Sequence, residues 1–271
     1  MKKLHLVSEK TTAKVMVSIV DDFPSLPQPE DPVILSVPNQ DLLEGIQSVA
    51  FAAETTTTKP ELSSILILCE GSVITFVATD SFRLAEKNIT PKNSLAPFSL
   101  LLPAKNALEI VRLLADKKEV TIGVSKDVIS FSSEGYFITS RLVDGTYPDY
   151  KQIIPQQFST LVFAESNEFQ TAVKGATIFS DRFNKVTLSV VGDQMEVSSQ
   201  NSEVGENATT IKITTEGDDI KQNFDYRFLS EAFTKIKTKN ISIGFTGPAR
   251  PIVVRPKNDT SYTYLLMPMN R

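Results

Sequence analysis

The sequence predicts an α+β fold in which one unit, a strand followed by a helix and three more strands, occurs four times in two blocks. Three observations carry this. The apolar residues switch between a period of two and a period near 3.6 in the same order four times, and Pro and Gly clusters separate the runs. No run approaches the roughly 20 apolar residues of a membrane span. With 41% hydrophobic and 22% charged residues among 271, the chain has material for two ordinary domains, and disorder over most of its length is excluded.

The elements follow in order. Residues 23 to 32 carry Pro24, Pro27, Pro29 and Pro32 and read as an extended connector. In the first block, Val33 to Val37 is a strand and Asn39 caps a helix with Leu42, Leu43, Ile46, Val49 and Ala50 on one face. Strands Ser64 to Cys69, Val73 to Ala78 and Phe82 to Lys87 come next. The pattern then restarts: strand Phe98 to Leu102, a helix opened by Pro103 with Leu108, Val111 and Leu114 inward, and strands Val120 to Val124, Val128 to Ser132 and Phe137 to Leu142. Asp144-Gly145 and Tyr147-Pro148 break the periodicity before Pro155.

The second block repeats the order. Leu161 to Ala164 is a strand, Ser166 caps a helix with Phe169, Ala172, Val173 and Ala176 inward, and strands occupy Val186 to Val191, Met195 to Ser199 and Thr209 to Thr214. The last unit has a strand ending near Phe224, a helix with Phe228, Leu229, Ala232, Phe233 and Ile236 inward, and strands Ile241 to Phe245, Ile252 to Arg255 and Tyr262 to Met267. Each helix must lie on one face of an antiparallel sheet. The chain divides into 1–30, 31–155 and 156–271.

Composition narrows the chemistry. A single cysteine, Cys69, excludes an internal disulfide and a Cys-rich zinc site, and a single histidine, His5, excludes a multi-histidine metal site. No cofactor and no metal are expected. The start, Met1 to Leu6, lacks the apolar core of a signal peptide, so the expected location is the cytoplasm. A net charge of -4 argues against holding nucleic acid by bulk positive charge, though not against segregated charge. One enzymatic alternative uses Asp80, Asp144 and Asp149, with Glu70, as a carboxylate set for divalent metal in phosphoryl transfer. Each lies beside a turn, where Asp is favoured for backbone hydrogen bonding alone.

Three segments resemble a known family: Val77 to Ala85, Ser140 to Tyr150, and the terminus Tyr264 to Arg271. In order and spacing they are similar to the bacterial sliding clamp, the beta subunit of DNA polymerase III. The resemblance implies repeated clamp-type domains, each two helices on antiparallel sheets, and a non-catalytic processivity factor that tethers the polymerase to duplex DNA. It also implies that the chain begins inside the family's first domain, with Leu4 to Val7 and Val15 to Ile19 as a closing hairpin and Asp22-Phe23-Pro24 as the exit. The alternative is a fragment that binds partner peptides without encircling DNA. The family is a homo-oligomer; for this chain a monomer or weak oligomer is expected, or a trimer if two domains per chain close into six. The orphan hairpin predicts exposed strand edges.

By resemblance, peptides of the polymerase alpha subunit, clamp loader, other polymerases and repair proteins enter a groove. Its residues map to Leu62, Thr79, Ser81, Phe82, Arg83, Leu84, Pro148, Ile153, Phe183, Phe228, Leu265, Leu266, Met267, Pro268 and Met269. Arg83 would offer its guanidinium to peptide carbonyls or carboxylates, and Leu84→Asp would abolish binding while leaving each domain folded. Ser81-Phe82 stands where Gly-His or Gly-Tyr is usual, and Asn270 where Arg is common. A clamp holds DNA topologically and needs only modest positive charge on its lining helices. Lys59, Lys105, Arg112, Lys235 and Lys239 are the DNA-facing set, with Lys117, Lys118, Arg227 and Lys237 nearby, while the helix at 39 to 53 supplies Asp41 and Glu44 but no cation.

Overall fold

The computed structural model describes residues 2–17, 26–30, 32–56, 58–91 and 96–269. The expected Asp22-Phe23-Pro24 exit, Ile19, Asn270 and Arg271 lie outside them. Strands β1 (Lys2–Val7) and β2 (Thr12–Val17) pair only with each other, and every residue in them is exposed.

The first block contains β3 (Val33–Pro38), α1 (Asn39–Val49), β4 (Ser64–Glu70), β5 (Val73–Thr79) and β6 (Arg83–Ile89). It continues with β7 (Phe98–Pro103), α2 (Ala104–Leu114), β8 (Glu119–Val124), β9 (Val128–Ser133) and β10 (Tyr136–Arg141). The two units exchange their first strands. Strand β3 pairs with β8 of the second unit, and β7 pairs with β4 of the first. The second block repeats this arrangement with β11 (Thr160–Glu165), α3 (Ser166–Thr177), β12 (Lys185–Val191), β13 (Gln194–Asn201) and β14 (Gly205–Lys212). After a short β15 (Thr214–Gly217) come β16 (Ile220–Asp225), α4 (Tyr226–Lys235), β17 (Asn240–Phe245), β18 (Ile252–Pro256) and β19 (Tyr262–Leu266). Here β11 pairs with β17 and β16 with β12.

The blocks meet where β6 pairs antiparallel with β19, Leu84 opposite Leu265 and Arg83 opposite Leu266. One nine-stranded sheet therefore runs β15-β11-β17-β18-β19-β6-β5-β4-β7 through both blocks. The remaining sheets, β10-β9-β8-β3 and β14-β13-β12-β16, have four strands each. Side chains alternate between the two faces of the long sheet. Ile65, Ile67, Phe76, Ala85, Tyr264 and Leu266 face the main core, which α1 to α4 also enter. Leu66, Val77, Leu84, Leu101, Val253 and Leu265 form a second cluster on the other face, covered by Val143, Tyr147, Tyr150, Ile154 and Phe158 of the inter-block connector. Burial on both faces around this cluster explains why β4, β5 and β19 read as near-continuous apolar runs, whereas β11 alternates and β15 is mostly exposed.

Local capping differs from expectation in instructive ways. Asn39 is the first residue of α1, and its amide donates to the carbonyls of Leu114 (2.7 Å) and Lys117 (2.6 Å). It therefore satisfies the end of α2 and ties the two helices of its block together. Ser166 is likewise inside its helix, where its hydroxyl accepts from Gln170 at 3.0 Å. The side-chain cap is at α4, where Asp225 accepts from the amide of Arg227. Leu108, expected inward on α2, is 49% exposed; Ala107 and Ile110 hold the inward face instead.

Candidate functional site

The period of two splits the expected groove between the faces of the nine-stranded sheet. Leu84 and, across the seam, Leu265 lie on the outer face, with Phe82 two residues before the one, Met267 two residues after the other, and Thr79 two residues beyond Val77. Arg83 and Leu266 point the other way, Leu266 into the main core and Arg83 over the ring of Phe228 of α4. A tight turn links β5 to β6. Asp80 accepts from the amides of Phe82 (2.9 Å) and Arg83 (3.0 Å), while the Thr79 hydroxyl donates to the carbonyl of Arg83 at 2.6 Å. Ser81 takes a φ of 75° there, the left-handed conformation that glycine adopts without strain.

The carboxyl-terminal tail is fastened across the seam. The amide of Met267 donates to Phe82 O at 2.9 Å, and that of Met269 to Asn223 O of β16 at 2.8 Å. Strand β16 pairs with β12, which begins two residues after Phe183. Four large apolar side chains of the expected set are thereby left in solvent: Phe82 is 63% exposed, Phe183 55%, Ile153 51% and Met267 40%. Beneath them Leu84 and Leu265 are buried. The connector brings Tyr147 over the turn, where burial pushes its hydroxyl pKa up. Exposed Pro148 lines a cleft of about 450 Å³ with Leu66, Leu101 and Tyr150. Ile153 opens on a separate cleft of about 500 Å³ with Phe158, Arg250 and Pro251. Leu62 is buried in the loop before β4. Pro268 and Met269 are half-buried.

Arg83 departs from its expected role. It is 7% exposed; its Nε meets Asp80 Oδ2 at 2.9 Å and its Nη1 meets Glu231 of α4. Its guanidinium lies between the rings of Phe51 (5.5 Å) and Phe228 (4.4 Å). Burial lowers its pKa, but the Glu231 hydrogen bond and the neighbouring charges outweigh this and raise it overall. Two of its nitrogens are committed within the fold, to Asp80 of the first block and Glu231 of the second, so it joins the blocks. Periodicity contained this signal, because adjacent Arg83 and Leu84 cannot share a face. Asp80, Glu231 and Phe51 were missed, since nothing in the sequence marks them as its partners.

The carboxylate alternative does not assemble. Among the described residues no three of His, Cys, Asp and Glu are placed to hold a metal ion. Asp149 accepts instead from Gln152 at 2.6 Å, and Asp80 belongs to the turn and Arg83.

The helix side carries the cations unevenly. A cleft of about 940 Å³ between α1 and the ends of α2 and α4 brings together Lys87, Lys117, Lys118, Lys235 and Lys237, with Glu44, Asp116 and Asp259. Lys87 is paired with Glu44 at 2.7 Å, which accounts for an acidic residue on the cation-free α1. Of the expected DNA-facing set, only Lys235 lines this cleft. Arg112 is tied to Glu109 at 2.7 Å, and Arg227 to Asp225 at 2.6 Å. Lys59, Lys105 and Lys239 are exposed elsewhere.

Two family models match, the central domain of the DNA polymerase III beta subunit over residues 36–149 and its C-terminal domain over 151–270. The "Beta sliding clamp" of Bacillus subtilis is 30% identical over 92% of this chain and 68% of its own length. That of Synechocystis is 28% identical over 97% of this chain and 72% of its own. The crystal structure of the Bacillus subtilis DNA polymerase sliding clamp superposes with a TM-score of 0.95 at 28% identity, covering 99% of this chain and 72% of that one.

Proposed function

Since the chain belongs to the family of DNA polymerase III beta subunits, the bacterial sliding clamps, we infer that it acts as a DNA sliding clamp, a non-catalytic processivity factor that holds replication partners on duplex DNA. The observation that carries this is the shared sheet. It places all four helices of the described residues on one face and leaves an apolar band at the β6–β19 seam on the other. The helix face meets DNA and the seam receives partner peptides. We take 31–155 and 156–271 as the two clamp domains. The protein works on DNA inside the cell, and we place it in the cytoplasm; no helix among the described residues is long and apolar enough to cross a membrane.

Exposed Phe82 and Met267, with Ile153 and Pro148 alongside, support a groove for apolar peptide anchors above a fixed floor of Leu84 and Leu265. Met267 suits it because a flexible thioether repacks around different partners. The test uses a fluorescent peptide from the polymerase alpha subunit. Phe82→Ala with Met267→Ala should weaken binding at least about 30-fold, roughly 2 kcal/mol, with thermal unfolding unchanged because both side chains are exposed. Unaltered affinity would remove the groove assignment.

DNA contact on the helix face should depend on salt. Replacing Lys117, Lys118, Lys235 and Lys237 by Gln is expected to flatten the slope of log K against log salt by up to about 3.6, or about 0.9 per lost phosphate contact. Arg112→Gln should lower it by up to about a further 0.9 if Arg112 faces DNA, because its ion pair with Glu109 is exposed on both sides and does not hold the guanidinium back. Titrations of a short duplex at several ionic strengths measure both.

A further inference from the structure

The loop 246–251, which joins β17 to β18, is fixed from below by Gln222 of β16. The buried Gln222 amide donates to Gly247 O at 2.7 Å and to Arg250 O at 3.3 Å. Within the loop the Thr246 hydroxyl donates to Pro251 O at 2.9 Å, and Ala249 takes a φ of 54°, a left-handed conformation that costs any residue with a Cβ. Arg250 stands exposed on this rigid support. The next residue of β16, Asn223, accepts the amide of Met269, so one strand anchors both the loop and the tail that carries Met267. Arg250 also lines the cleft of about 500 Å³ on which Ile153 opens, and the cleft thus adjoins the groove at Ile153.

Charge distinguishes this cleft. Arg250 is the only charged side chain that lines it, beside the polar Gln152, Gln157, Ser159 and Thr246. Gln152 donates to Asp149, outside the lining, and Ser159 and Thr246 donate to backbone carbonyls. The other arginines around the seam are engaged. Arg83 is paired with Asp80 and Glu231, Arg227 with Asp225, and the Arg182 guanidinium lies over the Phe183 ring at 4.7 Å. Arg250 forms no ion pair among the described residues.

We propose that Arg250 receives a carboxylate of the partner peptide, so that an acidic residue flanking the apolar anchors on the Ile153 side is a specificity element of this chain. A guanidinium offers a carboxylate two parallel N–H donors, a fit that a neutral amide does not reproduce. The apolar anchors beside Phe82 and Met267 supply most of the affinity, and Arg250 discriminates among peptides that share them. Gln222 is a positioning residue that acts through the loop. This role rests on the seam groove being the peptide site.

Fluorescent alpha-subunit peptides in which each residue flanking the apolar anchors is in turn Glu or Gln measure the preference. At one flank Glu should bind about three- to fivefold tighter than Gln at low salt, the range of a single exposed ion pair, and the ratio should shrink as salt is added. In Arg250→Gln the ratio should fall to about one, in Arg250→Lys it should be intermediate, and Arg250→Glu should prefer Lys at that flank. Gln222→Met keeps the length but cannot donate, and should lower the ratio; an unchanged ratio would remove the positioning role. An all-Gln peptide indifferent to Phe82→Ala with Met267→Ala would sink the groove assignment itself. A peptide that responds to those two substitutions yet shows no Glu preference at any flank, or one whose preference survives Arg250→Gln, would overturn the role of Arg250 alone.

Discussion

Leu84→Asp is expected to unfold the chain at low denaturant instead of merely removing peptide binding. Leu84 is fully buried on the outer face of the seam, among Leu66, Val77, Val253 and Leu265 beneath the connector. Truncating such a side chain costs about 2–5 kcal/mol, and placing a carboxylate there without a partner adds to it. The total is comparable to the roughly 5–15 kcal/mol that holds a domain together. The sequence-based expectation that this variant leaves both domains folded is therefore corrected: the residue belongs to the packing that joins them. Leu84→Met conserves volume and should cost under about 1.5 kcal/mol. The chain has no Trp, so circular dichroism and tyrosine emission in urea follow both variants. A wild-type midpoint for Leu84→Asp would show that the outer cluster is not what holds the seam.

Arg83→Ala should cost about 3 kcal/mol and separate the unfolding of the two blocks. Removing one member of a buried ion pair leaves its partner charged and desolvated, which is dearer than never having had the pair. Here the stranded partner is Asp80, whose side chain is 12% exposed, while Glu231 at 47% returns to water at little cost. The cation between Phe51 and Phe228 disappears as well, leaving a void where the first block meets α4. One transition should become two as the coupling weakens. Arg83→Lys keeps the charge but loses the planar fork, and should fall between wild type and Ala. A single unshifted transition for Arg83→Ala would contradict the joining role.

The two corrections share a cause. A motif such as Thr79 to Leu84 arrives as a contiguous string, and a resemblance carries it over as one site. In a strand, however, consecutive residues belong to opposite faces, so Arg83 and Leu84 serve different surfaces although they are neighbours in the chain. The strand period was visible and would have separated them. What was not visible was that the second face is also dry, because the covering residues, Tyr147, Tyr150, Ile154 and Phe158, come from a segment that reads as a turn-rich linker. Likewise Lys235 was legible as a cation at a helix end, but its meeting with Lys117 and Lys118 across α1 depends on how helices from two blocks converge.

Local pattern by itself determined the four repeated units, the order of strands and helices, and the poverty in metal-binding and nucleophilic side chains, because periodicity and composition are properties of short stretches. Tertiary structure alone decided that β3 and β7 exchange sheets, that β6 finds β19 nearly two hundred residues away along the chain, and that Asn39 serves the far end of another helix. Those pairings are chosen by which edges and faces remain unsatisfied once local elements exist, a competition over the whole chain that no single segment records.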